Sequence, residues 1–137
     1  MNVRRILVGV DGSDNAQRAL GWTIDLATAL GAEVVAVHSL GLLESPHHDE
    51  IAEQFEQVWC APLLDTDLPS FRVLRDGNPV QVIITVAEEQ DVDLIVLGSR
   101  GVGGFPEQLL GSTSHQVAER TTRPVVIIPP QHRPAAS

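Results

Sequence analysis

The chain contains no lysine: all nine of its basic residues are arginine, set against 18 acidic ones. A P-loop of the Walker A type needs its lysine, so that class of nucleotide site is excluded. A lysine Schiff base and a kinase-type catalytic lysine are excluded with it. The net charge of −9 argues against nucleic acid and anionic membranes as partners, since both call for a basic patch. There is one cysteine, Cys60, which cannot form an internal disulfide and fits a reducing compartment. No base or metal partner that would make its thiol functional is evident in the sequence, so it reads as a packing residue. No apolar run approaches the roughly 20 residues of a membrane span. The opening "MNVRRILVGVDGS" has too short an apolar run for a secretory signal and reads as the first strand of a cytoplasmic protein. Two further motifs are missing. G-x-G-x-x-G is absent, which removes the dinucleotide fingerprint. G-x-S-x-G is absent as well, which leaves Ser112 and His115 without the setting of a hydrolase triad.

What is present suits one domain. The length of 137 residues, with 43% apolar and 20% charged residues, gives a globular chain with room for one core. Residues 1–130 read as that domain and 131–137 as a disordered tail. "RILVGV" (5–10), "EVVAVHS" (33–39), "DLIVLG" (93–98) and "PVVIIP" (124–129) are apolar runs of strand length, as expected for strands buried on both faces. "SFRVLRDG" (70–77) alternates and reads as a strand with one more exposed face. Between them, Ala16, Ala19, Leu20, Thr23, Ile24, Ala27 and Leu30 recur at helical spacing with Gly31 as the stop. Pro79 opens a second helix, and Thr113 with Gln116 fits a capping box for the last. The stretch 41–69 is weakly patterned, with a helix expected around Asp49 to Trp59.

Strands alternating with helices predict an open, mostly parallel α/β sheet with right-handed crossovers. Ligands in such sheets sit at the carboxyl ends of the strands, where the order reverses. Two strand-end loops carry glycine: "GVDGSD" after the first strand and "GSRGVGG" after the fourth. If both line one site, strands 1 and 4 must be neighbours, which the order 3-2-1-4-5 provides.

The second of these loops opens the stretch "GSRGVGGFPEQLLGSTS", 98–114. Gly98 and Gly101 permit close approach of the backbone. Gly111, Ser112 and Thr113 precede or open a helix whose first amides have no internal partner, a setting that favours an anion. Arg100 is the one basic residue in the stretch. Asp11, at the end of the first strand, has the chemistry to hold ribose hydroxyls. The spacing alone admits two readings: a phosphate cradle, or a glycine-rich surface loop beside an ordinary helix cap.

The stretch fits the pattern G-2x-G-9x-G-[S/T] and resembles that of the universal stress protein family. "RILVGVDGSDNAQRAL" resembles the family's opening, and "DLIVLGSRG…LLGSTSHQVAERTTRPVVIIP" its close. The resemblance spans residues 3 to 129. It implies a Rossmann-like five-stranded parallel sheet in the order 3-2-1-4-5, homodimers, and ATP binding. By position, Asp11 would hold the ribose, Val10 and Val37 would flank the adenine, and the backbone of Ser39 would read its edge. Gly98, Arg100, Gly101, Gly111, Ser112 and Thr113 would hold the phosphates. Two positions depart from the family: Ser39 stands where an apolar residue is common, and "FPEQ" (105–108) brings Glu107 where many relatives carry basic residues. A divalent ion, magnesium or manganese, would offset that charge, although the sequence shows no dedicated metal site.

Other candidates have plainer accounts. His47 and His48 are adjacent and do not converge on one metal. His38 reads as a satisfied strand-end histidine, and Trp22 and Trp59 as core or interface residues. The apolar last strand would be an edge, and pairing of Val125, Val126, Ile127 and Ile128 with a second copy would cover it. The leading expectation is a cytoplasmic, nucleotide-dependent stress-response regulator that is at most a slow ATPase. The alternative is a dimeric interaction module of the same fold that binds no nucleotide. A related pyrophosphatase-type enzyme would want an S-G-G-x-D-S loop, which "VDGSDN" is not.

Overall fold

The apolar runs make strands, buried on both faces at the centre of the sheet. In the computed structural model, which describes residues 2–41, 47–100 and 112–130, they are β1 (Arg5–Gly9), β2 (Glu33–Ser39), β4 (Leu94–Gly98) and β5 (Val125–Ile128). Contrary to expectation β5 is only half-buried at Val125, Val126 and Ile127, because it lies at the sheet edge, and β3 (Ser70–Arg75), at the other edge, exposes Phe71 and Arg72 in succession instead of alternating. All neighbouring pairs are parallel and the order is β3-β2-β1-β4-β5. This is the α/β Rossmann-like arrangement that the sequence predicts. The centre of the sheet is fully enclosed: Ile6, Leu7, Val8, Ile95 and Val96 expose nothing.

The helices divide between the two faces. On one lie α1 (Asp14–Leu30), α2 (His48–Gln54), a π-helical turn (Phe55–Trp59) and α3 (Ala61–Leu64). Their buried residues Ala19, Leu20, Ala27, Phe55, Cys60 and Leu63 pack against Ile6, Val8 and Val34. On the other face α4 (Pro79–Glu89) and α5 (Ser112–Arg120) pack Val82, Ile83, Val86 and Val117 against Leu7, Val35 and Ile95. The ends of α1 follow local chemistry. Ser13 caps its start by accepting from the Ala16 amide at 3.1 Å. Gly31 ends it at φ +67°, with the Ala32 amide donating back to Ala27 O. Asn78 and Pro79 open α4 in the same manner, the Asn78 side chain accepting from the Val80 and Gln81 amides.

Two local expectations change. The helix expected around Asp49 to Trp59 is not one regular helix. After Gln54 it widens into the π turn, where the Cys60 amide reaches back five residues to Phe55 O. Thr113 lies inside α5 instead of capping it, and Gln116 Nε2 donates to Ser112 Oγ at 3.0 Å. Cys60 is fully buried, as expected of a packing residue. Burial and the neighbouring Glu56 push its thiol up to about 11, so it stays protonated and inert while folded.

Candidate functional site

The chain leaves β1 for β2 in one direction and β4 for β5 in the other. The crevice at the carboxyl ends of β1 and β4 is therefore the switch point of the sheet. Asp11 and Gly98 flank it. Asp11 Oδ1 accepts from the Ser13 amide at 2.9 Å and from Ser13 Oγ at 2.6 Å. Ser13 then caps α1, so the carboxylate is fixed by the turn that starts the helix. Gly12 between them takes φ +83°, and a Cβ there would lie 2.5 Å from the Trp59 indole.

Across the crevice, a Cβ on Gly98 would meet Asn15 at 3.0 Å. The glycine lets the end of β4 lie directly against the first turn of α1. Asn15 then bonds the exiting chain. Its Oδ1 accepts from the Arg100 amide at 2.8 Å and from Ser99 Oγ at 3.3 Å, and its Nδ2 donates to Ile128 O at 2.9 Å. Ser114 Oγ donates to Ser99 O at 3.4 Å, which ties the first turn of α5, where Ser112 and Thr113 stand, to the same point. Asp11, Gly98, Arg100, Ser112 and Thr113 thus belong to loops and turns joined at one end of the sheet. Gly101 and Gly111 lie outside the described residues, as does Glu107.

Val10 and Val37 are linked by a main-chain bond, Val10 N to Val37 O at 2.9 Å. Their side chains turn to opposite faces, Val10 toward α1 and Val37 toward α4, and each is only 2% exposed. Ser39 ends β2 farther toward β3. Its hydroxyl donates to Gly77 O and accepts from the Gly41 amide, closing a short bridge between Gly41 and Gly77.

His38 occupies the α1 side of the β2 end. Its Nδ1 lies 2.8 Å from Val10 O, so that nitrogen carries the proton. Its ring stacks on Phe55 and meets the edge of Trp59, with centroids 6.1 and 5.1 Å away. Desolvation lowers its pKa below the ordinary 6.5; the bond to Val10 and the charge of Asp11 oppose the shift but do not cancel it. The folded state therefore favours the neutral ring. Its contribution to stability is complete above the unfolded value of about 6.5 and is lost as pH falls from there toward the lower folded value. Thermal denaturation across about pH 5.5 to 7 should show the wild type losing stability on acidification. His38→Phe, which keeps a ring but cannot titrate, should show a flatter profile. Parallel profiles would contradict this assignment.

Sequence reasoning missed Asn15, Ser99 and Ser114, and it did not place Trp59 against Gly12. A signal for Asn15 was available: it stands four residues before Ala19 and eight before Thr23, on the buried face of α1. His47, by contrast, is exposed and pairs with Glu50 on α2.

Comparison with known proteins gives one consistent result. The profile of the Universal stress protein family matches residues 2–129. Universal stress protein YxiE of Bacillus subtilis is 33% identical over 144 residues, covering 90% of this chain and 97% of that protein. A solved structure of the universal stress protein from Archaeoglobus fulgidus in complex with dAMP matches with a TM-score of 0.75 at 25% identity, covering 93% of this chain and 99% of that one. A universal stress protein solved in complex with cAMP matches in fold with a TM-score of 0.77 at 24% identity, covering 96% and 100%.

Proposed function

The chain belongs to the universal stress protein family, and on that premise we propose that it binds an adenine nucleotide, ATP or AMP, and acts as a nucleotide-dependent regulator in the cytoplasm. The observation that carries the reading is the junction at the switch point. There the first turn of α1, which the Asp11–Ser13 turn starts, the Gly98–Arg100 exit of β4 and the first turn of α5 meet, the last two bonded to each other and to α1 through Asn15, Ser99 and Ser114. The donor set suits the ligand. Asp11 offers a carboxylate to ribose hydroxyls and Arg100 offers a guanidinium to phosphate. The dAMP complex of the Archaeoglobus fulgidus protein supports an adenine nucleotide as the ligand class.

In this reading Asp11 holds the ribose. The base rests over the ends of β1 and β2, against the main chain at Val10 and Val37, whose side chains are buried on opposite faces, and is read along its edge by the backbone of Ser39. Gly98, Arg100, Gly101, Gly111, Ser112 and Thr113 hold the phosphates, with magnesium or manganese offsetting the charge that Glu107 adds. Hydrolysis is expected to be at most slow, because among the described residues no base is assigned to activate water beyond Asp11, which the ribose occupies. Calorimetric titration with ATP plus magnesium, and separately with AMP, tests the proposal. Saturable binding of at least one is expected. No heat from either at millimolar ligand favours the second reading, a dimeric interaction module, to which Glu107 and the absence of lysine point.

We further propose a homodimer through β5. It is an edge strand of the sheet, and Val125, Val126 and Ile127 are half-buried in the single chain. An apolar edge invites pairing with its own copy about a two-fold axis. Sedimentation at micromolar concentration should give twice the chain mass of 14.8 kDa; a monomer there ends this part of the proposal.

A further inference from the structure

Among the described residues four polar side chains are buried: Asn15, Thr23, Ser99 and Ser114. Thr23 bonds within its own helix, to Ala19 O. The other three form one network under the start of the glycine-rich stretch. Asparagine is a poor helix-interior residue, because its amide competes for the backbone, and at a helix start it ordinarily serves as the cap. Here Ser13 already caps α1. The Asn15 amide is turned into the core instead, 8% exposed, and both of its functional groups are used on other elements.

Those bonds converge on Ser99 and the peptides on either side of it. The Asn15 carbonyl oxygen takes the Arg100 amide and the Ser99 hydroxyl. Ile128 O accepts from both Asn15 Nδ2 and the Ser99 amide, each at 2.9 Å. Ser99 O receives Ser114 Oγ from α5. The peptide joining Ser99 to Arg100 is therefore held by α1 and α5, and the peptide before it by β5 through the Ser99 amide. Buried networks of this kind fix one geometry, because any member left without a partner carries the full desolvation penalty.

We propose that Asn15 is a positioning residue for the nucleotide site. It fixes the direction in which the chain leaves β4 and so aims Arg100. One consequence sharpens the role of Arg100. Its main-chain N–H is committed to Asn15, so Arg100 meets phosphate through its guanidinium and not through its amide. The inference rests on the adenine-nucleotide reading, and the test separates the two.

Amide exchange at Arg100 is measured by nuclear magnetic resonance on the ligand-free protein, for wild type, Asn15→Ala and Asn15→Asp. AMP affinity is measured by calorimetry at a temperature where every variant is folded. Asn15→Ala should speed Arg100 exchange by about tenfold or more and weaken AMP binding about tenfold, the loss of one buried bond. Asn15→Asp keeps the acceptor for the Arg100 amide while losing the donor to Ile128 O, so wherever it is folded it should retain Arg100 protection despite a lower melting temperature, even if the alanine variant does not fold. A purely structural role would lower the melting temperature of Asn15→Ala while leaving AMP affinity of the folded protein unchanged, and that result overturns the inference. So does Arg100 protection that survives in Asn15→Ala or is lost in Asn15→Asp. Wild-type protein that binds neither AMP nor ATP sinks the nucleotide reading itself; wild-type binding with equal affinity in Asn15→Ala sinks only the role of Asn15.

Discussion

Gly12→Ala is expected to destabilise the protein by about 3 kcal/mol and lower its melting temperature by roughly 10 °C. Two costs add. Gly12 sits at φ +83°, where an L-residue pays roughly 1 kcal/mol or more. The new Cβ would also stand 2.5 Å from Trp59 Cε2 and 2.6 Å from Cζ2, a contact that overpacks the loop at about 2 kcal/mol. Trp59 cannot swing away cheaply. Its carbonyl accepts from Gln17 Nε2 at 3.1 Å, and its ring packs edge-on against His38 and Phe55. A double-mutant cycle isolates the clash. In a Trp59→Ala background, Gly12→Ala should cost only the backbone part, about 1 kcal/mol. Equal costs in the two backgrounds would show that the indole does not confine this turn.

The second large effect is on binding. Asp11→Ala should weaken AMP and ATP about 100-fold, the loss of about 3 kcal/mol from bonds between a carboxylate and ribose hydroxyls. Alanine also removes the acceptor that takes the Ser13 amide and hydroxyl, so part of the loss comes through the turn. Asp11→Asn separates the two contributions. Its carbonyl can still accept from Ser13, leaving the turn in place, while the charge is gone; about a tenfold loss is expected. Calorimetry on the two variants checks this. An alanine variant within about threefold of wild type would remove Asp11 from the site.

The strands were legible because burial on both faces leaves no room for polar alternation. β2 has the predicted bounds, and β1 stops one residue early, at Gly9. Even there Val10 continues the pairing through its bond to Val37 O. A shared site for the two glycine-bearing loops calls for β1 and β4 as neighbours, and they are; the full order is what the family resemblance implies, and the sheet has it. The region between β2 and β3 was harder for a physical reason. No residue of α2 is buried, so no apolar stripe marks it. The π turn then breaks the helical period just where Phe55 enters the core.

At the candidate site the sequence marked the residues that could meet a ligand and missed those that hold them. Asp11, Gly98 and Arg100 were legible from residue type at strand ends. Nothing local ties Asn15 to the site, because its partners Arg100 and Ile128 lie 85 and 113 positions away. From the sequence alone Trp59 reads as a core or interface residue. Its packing on Gly12 depends on how the π turn carries the indole over the loop, which no spacing rule states. His38 was read as satisfied at the strand end, and its bond to Val10 O is that satisfaction.

The most direct measurement is of what the folded protein carries. Purified wild-type protein is denatured, and the released small molecules are separated and identified by mass. The account predicts an adenine nucleotide among them, or, if the protein purifies empty, saturable binding of ATP with magnesium or of AMP. No released nucleotide together with no binding of either at millimolar concentration would contradict it.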